Sequence, residues 1–226
     1  MEEKCIYCGS IHLYMLSDGR VKCPLCKRRY GLKKLRRDLS LLSLFCDDTS
    51  AKEASERAGC SYPTAKKAFG RFREATLPLL EEEYEKHRGD ILEYDEYLYL
   101  DHYKREKKRF IFDAHDFLTF DYGGRVYNIL MPSLNRYKNS LLSDGMEDIY
   151  YEEFSRFLKI HRVTKLRTHK NTIIRFWSYL DDFMKKYRGV NDSNFIYYLK
   201  EAEFKFNHPD PKERFETLKT LLYPNE

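Results

Sequence analysis

No apolar run in this 226-residue chain approaches the ~20 residues that a membrane helix needs. The longest apolar stretches are short and broken by charges, so no membrane partner is expected. A targeting segment is also missing, which predicts a cytoplasmic protein in a reducing compartment. Cysteine is scarce, with six in all, and two of them, Cys46 and Cys60, lie in helix-like sequence. A disulfide framework is therefore not expected. Nor does one sign of charge dominate, since the net charge is only +5. The excess is local. Residues 1–75 hold 16 Lys and Arg against 9 Asp and Glu, whereas the remainder holds 25 against 27. This excludes a generally cationic protein and puts the partner-facing basic surface near the N-terminus, where it suits nucleic acid.

What is present begins with the other four cysteines. Cys5-Ile6-Tyr7-Cys8 and Cys23-Pro24-Leu25-Cys26 form two CxxC pairs separated by 14 residues, enough for a hairpin that brings them together. Each pair presents two sulfurs from a tight turn. Four thiolates complete a tetrahedral zinc site and leave no open position, which predicts a structural Zn2+ rather than a catalytic one. A segment of about thirty residues cannot bury a core of its own, so the metal must supply the folding energy. Cationic side chains follow the second pair at once: Lys27, Arg28, Arg29, Lys33, Lys34, Arg36 and Arg37. Such a run is commonly only a solvated face. Here it abuts a zinc unit and a second candidate DNA-binding unit, which favours phosphate contact.

Residues 38–77 read as helices. Leu39, Leu41, Leu42, Leu44 and Phe45 form an apolar first helix. Thr49 or Ser50 caps the next, with Glu53 three residues on from Ser50 as a capping box, and Gly59 stops it. Ser61 caps a third helix with Pro63 in its first turn. Ala65, Ala68, Phe69 and Phe72 are spaced as its core face. Two helices about a Gly-containing turn suggest a helix-turn-helix, whose second helix enters the major groove. Its outward residues are expected to be Tyr62, Thr64, Lys66, Lys67, Arg71 and Arg73. A plain helical hairpin with solvated lysines is the alternative. Residues 79–90 read as a charged helical connector.

From Ile91 the period changes to that of strands. Residues 91–100, 110–120 and 125–131 alternate, with a turn at Asp121 to Gly124, and predict an antiparallel meander. Helical sequence follows at about 133–143, 147–160, 171–187, 192–206 and 211–222, and Val163 to Arg167 reads as one further short strand. Strands followed by helices predict an α+β domain. The expected organisation is a zinc ribbon (1–34), a helix-turn-helix domain (35–78), the connector (79–90) and a mixed α/β domain (91–226).

The stretches His169-Lys170-Asn171-Thr172-Ile173-Ile174-Arg175-Phe176-Trp177 and Phe195 to Asn207 carry a resemblance. With Tyr94-Asp95-Glu96 and Gly124-Arg125-Val126-Tyr127, they resemble bacterial insertion-sequence transposases of the ISXO-like group. That resemblance implies an RNase H-like catalytic domain, abridged here, behind the zinc ribbon and helix-turn-helix. It implies double-stranded DNA as the partner, self-association on it, and strand cleavage and transfer with Mg2+. Asp95, Asp144 and Asn171 would be the catalytic ligands, with Asp95 on a central strand. The chain departs from the family pattern at Thr172 and Ile174, which stand where the family has Gly and Glu. An isoleucine cannot bind magnesium. The sequence thus leaves three readings open: an active transposase, a domesticated DNA-binding relative, or a zinc-ribbon scaffold for other proteins.

Overall fold

The structure, a computed structural model, describes residues 4–87, 89, 91, 93–105, 113–133, 171–187 and 189–224. Two small antiparallel sheets and six helices occur among the described residues. The chain forms two compact units, Met1–Leu77 with His208–Glu226, and Pro78–Asn207.

In the first unit, β1 (Tyr14–Met15), β2 (Arg20–Lys22) and β3 (Arg29–Gly31) form a sheet in sequence order. Gly19 makes the first turn possible at φ +76, and the Asp18 carboxylate accepts the Arg20 backbone N–H at 3.0 Å. Helix α1 (Leu32–Cys46) follows directly and buries Leu41, Leu42 and Phe45. Helix α2 (Ala51–Arg57) is capped by Ser50, whose hydroxyl accepts the Glu53 N–H at 3.2 Å. Only that half of the capping box is seen, because Glu53 pairs with Arg57 at 2.5 Å one turn on. Gly59, at φ +60, closes the helix: Cys60 N–H reaches Ser55 C=O and Gly59 N–H reaches Glu56 C=O. Helix α3 (Tyr62–His87) begins after Ser61. The rings of Phe45, Phe69 and Phe72 meet edge to face or tilted within 6.2 Å and form the centre of the unit.

Three expectations change here. Helix α3 runs 26 residues, through Pro78, so the expected third helix and the connector are one element. Proline removes one backbone bond there without ending the helix, since apolar Leu80 beyond it is fully buried. Arg73 is buried at 6% exposure rather than outward, because it shares the inward stripe with Phe69, Phe72 and Thr76. The last helix, α6 (Pro211–Leu222), was expected within a 91–226 domain but packs along α1 in the first unit. Arg214 anchors it. Its guanidinium donates to the His208 and Cys46 carbonyls at 2.5 and 2.8 Å, closing the carbonyl end of α1.

The second unit carries the meander: β4 (Glu93–Tyr99), β5 (His115–Tyr122) and β6 (Arg125–Leu130). Gly123 and Gly124, both at positive φ, make the two-residue turn between β5 and β6. Among the described strands the central one is β5, not the strand of Asp95, because β5 pairs with both neighbours. Helix α4 (Thr172–Met184) covers one face with Ile173, Phe176, Trp177 and Leu180. Trp177 stacks on Tyr97 at 4.6 Å and donates its indole N–H to Thr119 at 2.9 Å. Helix α5 (Asp192–Asn207) serves the edge of β6. Its Asn207 accepts from the Val126 N–H and donates to the Val126 carbonyl, both at 2.8 Å, and Glu203 accepts the Asn128 N–H at 3.0 Å. Side chains of α5 thus satisfy backbone groups that an edge strand would otherwise leave open. The expected elements at 133–143, 147–160 and Val163 to Arg167 lie outside the described residues.

Candidate metal centre and nucleic-acid interface

The two CxxC pairs fold as near-copies of one turn. Cys5 N–H reaches the Ser10 carbonyl at 2.8 Å, and Cys23 N–H reaches the Arg28 carbonyl at 3.0 Å, five residues on in each case. Gly9 and Lys27, each directly after its second cysteine, take the left-handed conformation at φ 69 and 59. Lys27 does so at a steric cost that a glycine avoids. The result is a four-sulfur cluster. The Sγ atoms of Cys5, Cys8, Cys23 and Cys26 all lie within 4.8 Å of one another. Cys5–Cys26 and Cys8–Cys23 are 3.7 and 3.5 Å apart. Zinc–sulfur bonds of ~2.3 Å in a tetrahedron require edges of about 3.8 Å, so the donor set fits zinc in kind and in size.

The thiols differ before any metal binds. Burial pushes Cys23 up. The backbone N–H groups of Cys26 and Leu25 and the thiols of Cys8 and Cys26 outweigh it, bringing Cys23 down to about 6. Cys26 gains from the Arg28 N–H, but burial and the other three thiols hold it up at about 12. A thiolate already present on Cys23 gives a cation its first ligand.

The basic residues that follow do not all face the same way. Arg29, Lys33, Lys34, Lys66 and Lys67 are exposed. Tyr62, at the start of α3, is 49% exposed. Thr64 is half-buried and its hydroxyl is bonded to Ser61 at 2.9 Å. Arg28 is half-buried, with its guanidinium 4.4 Å over the Tyr7 ring. Arg71 pairs with Asp38 at 3.2 Å.

In the second unit, the structure brings two expected catalytic positions to one face. Residues 93, 95, 97 and 99 alternate to the side of β4 that meets α4. Asp95 lies there, half-buried, with one oxygen accepting the Glu96 N–H at 2.9 Å. Asn171 caps α4: its Oδ1 accepts the Ile174 N–H at 3.0 Å and its Nδ2 donates to Glu93 at 2.5 Å. Glu93 was not among the expected site residues; the two-residue alternation that placed Asp95 is the signal that finds it. Asp144 lies outside the described residues. Among the described residues, the cysteines are the one group of three or more His, Cys, Asp or Glu gathered at ligand distance. The Asn171 amide oxygen caps the first turn of α4, and no further carboxylate is gathered with Asp95 and Asn171 into a group of three ligands among the described residues.

Comparison with known proteins gives one relationship. Over 72 residues, 31% of this chain, the sequence is 33% identical to a protein of Haemophilus influenzae named as an uncharacterized transposase-like protein. The match spans 58% of that protein's length. This similarity supports a transposase-like relationship. No protein-family model matches the chain, and no solved structure matches it. No helix among the described residues is long and apolar enough to cross a membrane.

Proposed function

We propose that the chain is a transposase-related protein that binds double-stranded DNA through its first unit, with zinc in the four-cysteine cluster. The observation that carries this is the continuity of the cluster with exposed cations. Arg29, Lys33 and Lys34 follow it, and Lys66 and Lys67 lie on α3 in the same compact unit. In this reading α2, Gly59 and the start of α3 act as a helix-turn-helix, with Tyr62 and Lys66 toward the bases and the remaining cations toward phosphates. Self-association on the DNA is part of the reading, as a transposase must hold two ends.

The test is duplex binding measured across a salt series with the zinc-loaded chain. Affinity should fall steeply with salt, by a slope of about −0.9 per phosphate neutralised. Lys66→Ala with Lys67→Ala should flatten that slope, and zinc removal should weaken binding. Binding indifferent to both treatments would leave the scaffold reading in its place.

A second reading, metal-dependent strand cleavage by an RNase H-like second unit, is favoured by Glu93 and Asp95 sharing one face of β4 beside Asn171. It requires a further carboxylate, for which Asp144 is the candidate. Nicking of duplex DNA that depends on magnesium and disappears in Asp95→Ala would establish it. Its absence with intact binding supports the domesticated DNA-binding relative.

A further inference from the structure

The residues just after helix α6 reach the zinc unit. Helix α6 is held on α1 by Arg214 and by Leu218, which is fully buried. Tyr223 follows it, with its N–H on the Lys219 carbonyl at 2.9 Å. The Tyr223 ring meets Tyr7 of the first cysteine pair at 5.9 Å, edge to face. Tyr7 in turn meets Tyr30 at 5.5 Å and lies beneath the Arg28 guanidinium. Arg28 Nη1 donates to the Pro224 carbonyl at 3.4 Å. On its other side, the Tyr223 hydroxyl lies beside the Arg71–Asp38 pair of α3 and α1: burial and the Asp38 carboxylate raise the phenol, and the Arg71 guanidinium acts against them. Arg71 is itself held by Asp38, which is 10% exposed.

We infer that Tyr223 is a positioning residue that fastens the zinc ribbon to helix α3 and holds Arg28 and Arg71 on one surface. The reason is physical. The ribbon has almost no core: among its residues, Cys5, Val21 and Cys23 are buried. Metal folds such a segment but does not orient it on a neighbour. A ring wedged against Tyr7, with its hydroxyl beside Arg71, supplies that orientation from a distant part of the sequence. The consequence for nucleic acid rests on the duplex-binding reading above. Two arginines held in place lose less side-chain entropy on meeting phosphates than two mobile ones.

The experiment uses the zinc-loaded full chain and two variants, Tyr223→Ala and Tyr223→Phe. Zinc release into an excess of a chromogenic chelator is timed, and duplex affinity is measured across a salt series. Tyr223→Ala should speed release about 3- to 10-fold, the range expected for one lost aromatic pair. It should also make the salt slope shallower by about one phosphate. Tyr223→Phe keeps the ring on Tyr7, so release should stay near wild type while the slope still falls. A residue that served stability alone would move melting but not the slope in Tyr223→Phe. Wild-type release in Tyr223→Ala overturns the inference, and so does tighter duplex binding, which would make the chain end a competitor for the arginines. Faster release in a protein that binds no duplex upholds the fastening and overturns the DNA reading alone.

Discussion

Asn171 Nδ2 donates to the Glu93 carboxylate at 2.5 Å, while Asn171 Oδ1 accepts the Ile174 N–H at 3.0 Å. One side chain thus starts α4 and ties it to the start of β4. Asn171→Ala should therefore cost about 1–2 kcal/mol, a lost helix cap together with a charged hydrogen bond. Asn171→Asp should keep the cap but set a second carboxylate against Glu93, and its deficit should shrink as the pH drops toward 4. Urea midpoints at several pH values separate the two. Equal midpoints for Asn171→Ala and wild type would leave the residue without a structural duty and return it to the catalytic account.

Metal should be stoichiometric and confined to the first unit. Purified reduced protein should carry one zinc per chain. A strong chelator should abolish order around residues 5–31 while the hydrogen-exchange protection of β4, β5 and β6 persists. Each of the four single serine variants should lower metal content, since each removes one of the four sulfurs gathered within 4.8 Å. Protein that never retains zinc would end the four-thiolate account.

Glu203 is fully buried, and its carboxylate accepts from the Asn128 N–H, the Asn128 side chain and Lys200. Lys200 also sits 3.7 Å over the Tyr127 ring. Glu203→Ala leaves a buried ammonium unpaired and should cost about 3–5 kcal/mol. Lys200→Met with Glu203→Gln removes both charges at similar volume and should recover much of that loss. Melting of wild type, Lys200→Met, Glu203→Gln and their combination as a double-mutant cycle gives the coupling directly. A Glu203→Ala protein as stable as wild type would refute the edge-satisfying role of α5.

Local signals were legible because they act over a few residues. The CxxC pairs, Ser50 with Gly59, and the Gly123-Gly124 turn each specify their own backbone, and each is found where the sequence put it. The last three helices were expected at 171–187, 192–206 and 211–222 and run 172–184, 192–207 and 211–222. What escaped depends on partners far along the chain. Nothing near Arg214 announces that its guanidinium closes the end of α1 at Cys46, 168 residues away. The role of Glu93 required the far end of an Asn171 side chain 78 residues away. Arg73 looked like a surface cation because its neighbours are basic. The stripe formed with Phe69, Phe72 and Thr76 overrides that composition. The expected catalytic positions are single letters in the sequence, and whether such letters gather is not legible there, because a metal site is a property of tertiary distances.

His115 stacks on Phe195 at 3.8 Å, with the rings nearly parallel. Burial pushes it down to about 4, although Asp192 nearby acts the other way and Lys104 adds to the fall. Its folded pKa lies below its unfolded one. The stability it contributes is therefore complete above about 6.5 and is lost as the pH falls toward 4, by at most ~3 kcal/mol at about 1.4 kcal/mol per unit. Asp116 slopes the opposite way. Burial and the Glu96 carboxylate raise it to about 7, so what it contributes is present at low pH and is lost as the pH rises through 7. The two partly cancel between pH 4 and 6.5, so wild-type melting should look flatter there than either group dictates. His115→Phe should remove the acid-side loss and leave melting to fall as the pH rises. Asp116→Asn should expose the histidine's slope alone, with stability rising toward neutrality. Parallel melting curves for all three proteins across pH 4–8 would mean that neither group changes its protonation on unfolding.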